Sequence, residues 1–177
     1  PEGDKWQAEW PILMVNFEDA VAYADWRSDK EQRPYRLPTA EEWEKAGRGV
    51  DGRIYPWGDI FDPAFCRVRT SRPGRPIPAP VESFSIDCSP YGVMDMAGNI
   101  AEWTDSPGRG GDTRLLQGAS YNSIELMCRL DFSMSSPTNS RLPHYGFRLA
   151  LTLDGGDNRD ARTCVKGMFE HSTAKES

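Results

Sequence analysis

The chain has 177 residues, of which 38% are hydrophobic and 11% aromatic, enough for one domain with a sizeable core and not for two. A net charge of −6 speaks against nucleic acid as the main partner, because phosphate contact needs clustered Lys and Arg. No apolar run approaches the roughly 20 residues a membrane span needs. Cys66, Cys88, Cys128 and Cys164 are widely spaced, with no C-x-x-C and no neighbouring His, which excludes the usual zinc patterns. They read as free or partly buried thiols, with one disulfide left open. The chain opens at Pro1 with neither Met nor signal peptide, so it reads as a fragment or processed form with no legible address.

Asn16 is a good helix N-cap, and Asp19 in the first turn suits the helix dipole. Phe17, Ala20, Val21 and Ala24 follow at helical spacing, so 17–27 is expected to be an amphipathic helix. "RPYRLP" reads as an extended link. "TAEEWEKAGRG" holds a capping box, Thr39 with Glu42, and a Gly stop, giving a helix over 40–47 that buries Trp43 and Ala46. From Gly52 to about Pro90 the density of Pro and Gly predicts irregular backbone ordered by aromatics such as Tyr55 and Trp57. Within it, Arg67, Arg69, Arg72 and Arg75 form a basic cluster that reads as a solvated loop. Short strands are expected at Leu115–Gln117, Cys128–Phe132 and Gly146–Leu151. After Thr152 the chain turns polar, which divides it into a domain over 1–152 and a peripheral tail over 153–177.

"YGVMDMAGNIAEW" sets two carboxylates, Asp95 and Glu102, in an apolar segment around an Ala-Gly-Asn kink. A hard cation needs several converging oxygens, and an irregular loop can supply them because its carbonyls are not all spent in ladders. Asp95 and Glu102 could give side-chain oxygens, and the turn could aim the Gly98 and Ile100 carbonyls at the same point. Ca²⁺ there would remove the penalty of burying two charges beside Met96 and Trp103. The spacing is not that of an EF-hand. The competing reading is that Asp95 caps a turn and Glu102 pairs with an arginine.

"RLPTAEEWEKAGRG", "GRIYPWGDIFDP", "YGVMDMAGNIAEW", "LLQGASY" and "GFRLA" occur in an order that resembles the formylglycine-generating-enzyme (sulfatase-modifying factor) domain over roughly 11–151. The "SRPGRPIPAPVESFSIDCSPYG" stretch is similar to versions fused to bacterial serine/threonine kinases and to variable proteins of diversity-generating retroelements. The resemblance implies an α+β, C-type-lectin-like fold with two helices, small twisted antiparallel sheets and much irregular loop. It also implies one structural Ca²⁺ held by Asp95, Gly98, Ile100 and Glu102. A second calcium site of the family is expected to be lost, because Arg67 stands where an Asn ligand belongs. Ala101 replaces a usual Trp. The family's opening strand and helix before "PILMVNFEDA" are not seen, so "PEGDKWQAEW" or a partner is expected to complete the fold.

The family's enzymes oxidise a substrate cysteine with Cu(I) held by two thiolates, and soft sulfur suits that ion. In "GASYNSIELMCRLDF" Cys128 matches the second thiolate and Ser123 takes the place of the first. A neutral, hard hydroxyl cannot replace it, so no catalytic residue is assigned. A triad from Ser120 and His144 has no supporting motif, His144 reads as a surface residue, and Met94 and Met96 read as core fillers. What remains is a recognition surface within 121–145, the segment diversified in retroelement variable proteins. Tyr121, Asn122, Ile124, Glu125, Leu126, Phe132, Met134 and Tyr145 are its expected contacts, with a protein rather than a sugar as ligand. The alternatives are a sensor or docking module of a serine/threonine kinase, and a copper-dependent formylglycine-generating oxidase with altered ligands.

Overall fold

A computed structural model describes residues 8–153; the expected tail lies almost wholly outside them. Helix α1, Phe17–Glu31, starts on a complete capping box. Asn16 Oδ1 accepts the Asp19 amide at 2.8 Å and Asp19 Oδ2 accepts the Asn16 amide at 3.1 Å. The helix runs past its expected end because nothing in "WRSDKE" breaks it, and it stops only where Gln32 turns left-handed at φ 54°. Ala20 and Ala24 are its buried residues, so small side chains let it lie close against the sheet. Phe17 meets Trp103 edge-on and Tyr23 meets Phe147.

After the short strand β1, Tyr35–Arg36, helix α2 covers Ala40–Arg48 and opens on the Thr39–Glu42 capping box. Glu42 also accepts from both terminal Arg36 nitrogens, at 2.6 and 2.7 Å. The inner face of α2 buries Trp43 completely, together with Ala46.

The main sheet has the order β4-β3-β2-β5, from β2 Ala101–Pro107, β3 Thr113–Gln117, β4 Ser133–Pro137 and β5 Tyr145–Phe147. A small second sheet pairs β1 with β6, Ala150–Leu151. The β2–β5 pairing is parallel, the one departure from the expected antiparallel sheets among the described strands. Strand β2 is one of the two inner strands, and its first four residues are all buried. No alternation therefore shows in its sequence, which is why it read as loop.

Two expected strands need correction. Cys128–Phe132 is no strand: Glu125–Cys128 forms a 3-10 turn, and Leu130 hangs from a single backbone bond to the Ile54 carbonyl at 3.0 Å. Cys128 and Leu130 both point into the core, which mimics a strand's period of two. Gly146–Leu151 is split into β5 and β6, with the buried Arg148 between them.

The irregular 52–90 stretch is held by aromatics as expected. Tyr55 and Trp57 stack at 5.4 Å, and Phe61 and Phe65 close on them. Beneath them lie Cys66, Val68, Ala97, Ala119 and Cys128. A second core, of Trp103, Leu116, Tyr145, Phe147 and Leu149 with α1, fills the other side.

Candidate functional site

The "MDMAGNIAEW" segment enters the protein through two left-handed residues, Asp95 at φ 57° and Asn99 at φ 71°. Between them Gly98 presses on the backbone of residue 67, where a Cβ would stand 2.6 Å from the Arg67 carbonyl oxygen, so no side chain fits. The Asn99 amide donates to that same carbonyl at 2.8 Å. The Asn99 side chain grips Ala79 at both backbone groups, at 3.0 and 3.1 Å. From the other side Asp87 Oδ1 accepts the Met96 and Ala97 amides at 3.0 and 3.1 Å. These contacts fix an irregular turn whose direction no ladder could set.

All four residues expected at the metal site, Asp95, Gly98, Ile100 and Glu102, line one cavity of about 20 Å³ that Ile12 and Phe147 help to close. That is room for a single water or small ion. Glu102 pairs with an arginine, as the competing reading expects. Its carboxylate is gripped by Arg148, at 2.7 Å through Nη2 and by a short bond from Nε, and it accepts the Trp43 indole N–H at 2.6 Å. Arg148 also donates to the Met94 and Asp95 carbonyls at 3.3 Å. Asp95 Oδ2 accepts the Glu82 amide at 2.7 Å. Among the described residues no three His, Cys, Asp or Glu side chains converge as a metal cluster, so an ion here would depend on carbonyls for part of its shell.

The electrostatics are one-sided. Burial pushes the Asp95 carboxyl up to about 6. Burial, and then the Asp95 charge, hold Asp87 well above the ordinary carboxylate range. Burial works against the Arg148 charge, but the Glu102 carboxylate outweighs it, and the Arg148 pKa ends up raised. Three buried carboxyl groups thus share one guanidinium, and burial drives two of them, Asp87 and Asp95, toward the neutral form.

Ser123, which stands where the resemblance places the enzymes' first thiolate, is buried and tied down. Its Oγ accepts the Ser120 amide and meets Ser120 Oγ, both at 2.9 Å. Ser120 is thereby spent locally rather than aimed at His144, which is half-buried and packs edge-on against Tyr145. Cys128, fully buried, has a neighbour that the sequence did not reveal: the equally buried Cys66, in the same core cluster. The Cys128 thiol and burial push the Cys66 thiol far up, the reverse of a reactive thiolate. Cys66, Cys88 and Cys128 are free, and Cys164 lies outside the described residues.

The expected recognition residues separate into two groups. Asn122, Ile124, Glu125 and Leu126 are exposed and Tyr121 is half-exposed, all on the turn that follows β3. Ile124 and Leu126 show 54% and 59% of their surface to solvent, unusual for large apolar side chains. Tyr145, by contrast, belongs to the core, edge-on to Trp103 at 5.4 Å, because β5 pairs in parallel with β2 and turns it inward. Met134 packs against the same core, and Phe132 is half-buried. The arginine loop splits likewise: Arg69, Arg72 and Arg75 are exposed, but Arg67 is buried, contrary to the solvated loop expected from sequence. Arg69 crosses to the recognition turn, with Nε on the Asn122 carbonyl at 3.1 Å.

Residues 2–153 match the sulfatase-modifying factor enzyme 1-like domain, and the chain belongs to that family. It is 34% identical over 164 residues to the inactive C-alpha-formylglycine-generating enzyme 2 of Bos taurus, covering 84% of this chain and 52% of that protein. It is 33% identical over 175 residues to the formylglycine-generating enzyme of Streptomyces coelicolor, covering 81% and 53%. The chain thus spans about half the length of the curated relatives it matches. Among solved structures, Treponema denticola variable protein 1 superposes with a TM-score of 0.68 at 20% identity, over 84% of this chain and 73% of that one. The fold is therefore of the formylglycine-generating-enzyme, C-type-lectin-like kind, and its relatives include both an enzyme and a protein named inactive. No helix among the described residues is long and apolar enough to cross a membrane.

Proposed function

We propose that this domain is a non-catalytic protein-binding module, presenting the turn 121–126 and its neighbouring loops on a scaffold stabilised by one Ca²⁺. The observation that carries the reading is the state of the turn after β3. Where the enzymes' first thiolate would stand, Ser123 is locked to Ser120, while Ile124 and Leu126 beside it point into solvent. Soft-metal redox chemistry has lost a ligand there, and the freed apolar surface suits recognition. The inactive relative and the shared fold with a variable protein support this reading.

Calcium fits the residues present. Asp95 and Glu102 would supply carboxylate oxygens, Gly98 and Ile100 carbonyls, and the ion would balance the excess of buried acid. Its role is structural. Binding to the folded state alone adds about 2.7 kcal/mol at a hundredfold excess over Kd, so a chelator should lower the Tm and Ca²⁺ should restore it. An unchanged melt would remove the ion from the proposal.

One observation favours a second reading. Cys66 beside Cys128 offers a thiol pair that could hold Cu(I), which when bound would supply thiol-oxidising chemistry. Copper titration with an oxidation assay on a cysteine peptide decides between the two. Stoichiometric Cu(I) with turnover would replace the binding role by an enzymatic one.

A further inference from the structure

The small cavity of the acidic loop has one side unlike the others. Asp95, Gly98, Asn99, Ile100, Glu102 and Phe147 line it from the interior, and all are buried. Their backbone is held firmly. Asp87 takes the Met96 and Ala97 amides, Asn99 grips Ala79, and Phe147 lies in β5, paired with β2. The rest of the lining is Trp10, Pro11 and Ile12, with Val81. Residues 9–15 belong to no helix or strand.

These residues form a strap tied at both ends. The Val81 amide donates to the Glu9 carbonyl at 2.8 Å, and the Trp103 indole N–H donates to the Val15 carbonyl at 3.0 Å. Between the ties the strap lies directly on β5: a Cβ on Gly146 would stand 2.5 Å from the Ile12 carbonyl oxygen. Pro11 has no amide N–H with which to join the sheet. Met14 near the end of the strap, and Glu82 just after Val81, are both left-handed at φ 61°. Side chains of this size disfavour that conformation, so surrounding contacts must hold it. The Glu82 amide in turn donates to Asp95 Oδ2 at 2.7 Å. Two consecutive amides, of Val81 and Glu82, thus tie the strap and the acidic loop.

We infer that the strap 9–15 gates this cavity: it must lift from Gly146 and release Val81 before a cation can enter or leave. Trp10, Pro11 and Ile12 bring no side-chain oxygen, so their part is closure. Local opening of such a segment then sets how fast the cavity exchanges its contents. The inference rests on the calcium reading and adds how that site is controlled.

The test uses terbium(III) on the chelator-treated whole chain, as a hard ion that stands in for Ca²⁺ and emits when a nearby Trp is excited. Trp43, which donates to Glu102, remains in every variant as the antenna. The loaded protein is mixed with excess EDTA in a stopped-flow instrument, and the loss of emission gives the release rate. Trp10→Ala and, as a second variant, Pro11→Gly should each speed release at least about tenfold, because each removes a restraint on the strap. Val50→Ser, at a residue 86% exposed and outside the cavity lining, should release as the parent does. Far-UV circular dichroism of the loaded proteins confirms that folded chains are compared. Equal release from the parent and both strap variants would overturn the gate and leave the cation site standing. Faster release from Val50→Ser as well would also overturn it, since the effect would then be a general loosening. No terbium emission from any of them, with a melt that Ca²⁺ does not move, would remove the calcium reading and the gate with it.

Discussion

The centre around Arg148 and the rim around Leu126 are both built from irregular backbone, yet they are opposite solutions. At the centre almost every polar group is met from within: Glu102 by Arg148 and Trp43, Asp87 by two amides, Asn99 by Ala79. At the rim, Ile124 and Leu126 project from a short 3-10 turn with little to cover them. Loop structure by itself therefore says nothing about stability. Here the difference is whether the side chains close on one another or face outward.

Arg148→Met should break the centre. It leaves Glu102 as a buried charge without its partner, and losses of this kind run to about 3–5 kcal/mol. Urea unfolding followed by Trp fluorescence would read it, and a change under about 1 kcal/mol would mean the pair contributes little. At the rim, Ile124→Ser with Leu126→Ser should move stability by no more than about 0.5 kcal/mol per site, while weakening any captured ligand. A large drop in the same unfolding assay would show that these side chains pack after all.

The smallest effect concerns His144, at the border between the two regions. Burial holds it below its ordinary value, so the folded state prefers the neutral ring. The stability this gives is complete above the free value of about 6.5 and is lost as pH falls through the lower folded-state value. Replacing it in His144→Gln should flatten the fall of Tm between neutral and mildly acidic pH; parallel curves for parent and variant would assign that fall to other groups.

The helices were legible because their signals are local: each N-cap and its answering acid sit three residues apart. Asp95, Gly98, Ile100 and Glu102 could be grouped for the same reason, since they lie in one short segment, whereas Trp10, Ile12, Val81 and Phe147, which line the same cavity, come from distant ones. What could not be read is what depends on distant partners. Strand β2 shows no period because both its faces are covered, and Tyr145 looked exposable until its parallel pairing turned it inward. Asp87 gives no sign in "SIDCSP" that its carboxyl will catch two amides nine and ten residues on. Cys66 and Cys128 are 62 residues apart and meet only through the folded loops. Arg148 stood within a motif, "GFRLA", but the motif gave no hint that its guanidinium would serve Glu102.

That guanidinium has a bearing on synthesis. It clasps residues 94, 95 and 102 from a position 46 residues beyond the last of them. While the ribosome still shields residue 148, the two helices can form, but the acidic loop has no cation from the chain to close on. The domain should therefore gain its order late and in one step, when the last strand is released, as is usual where distant contacts dominate.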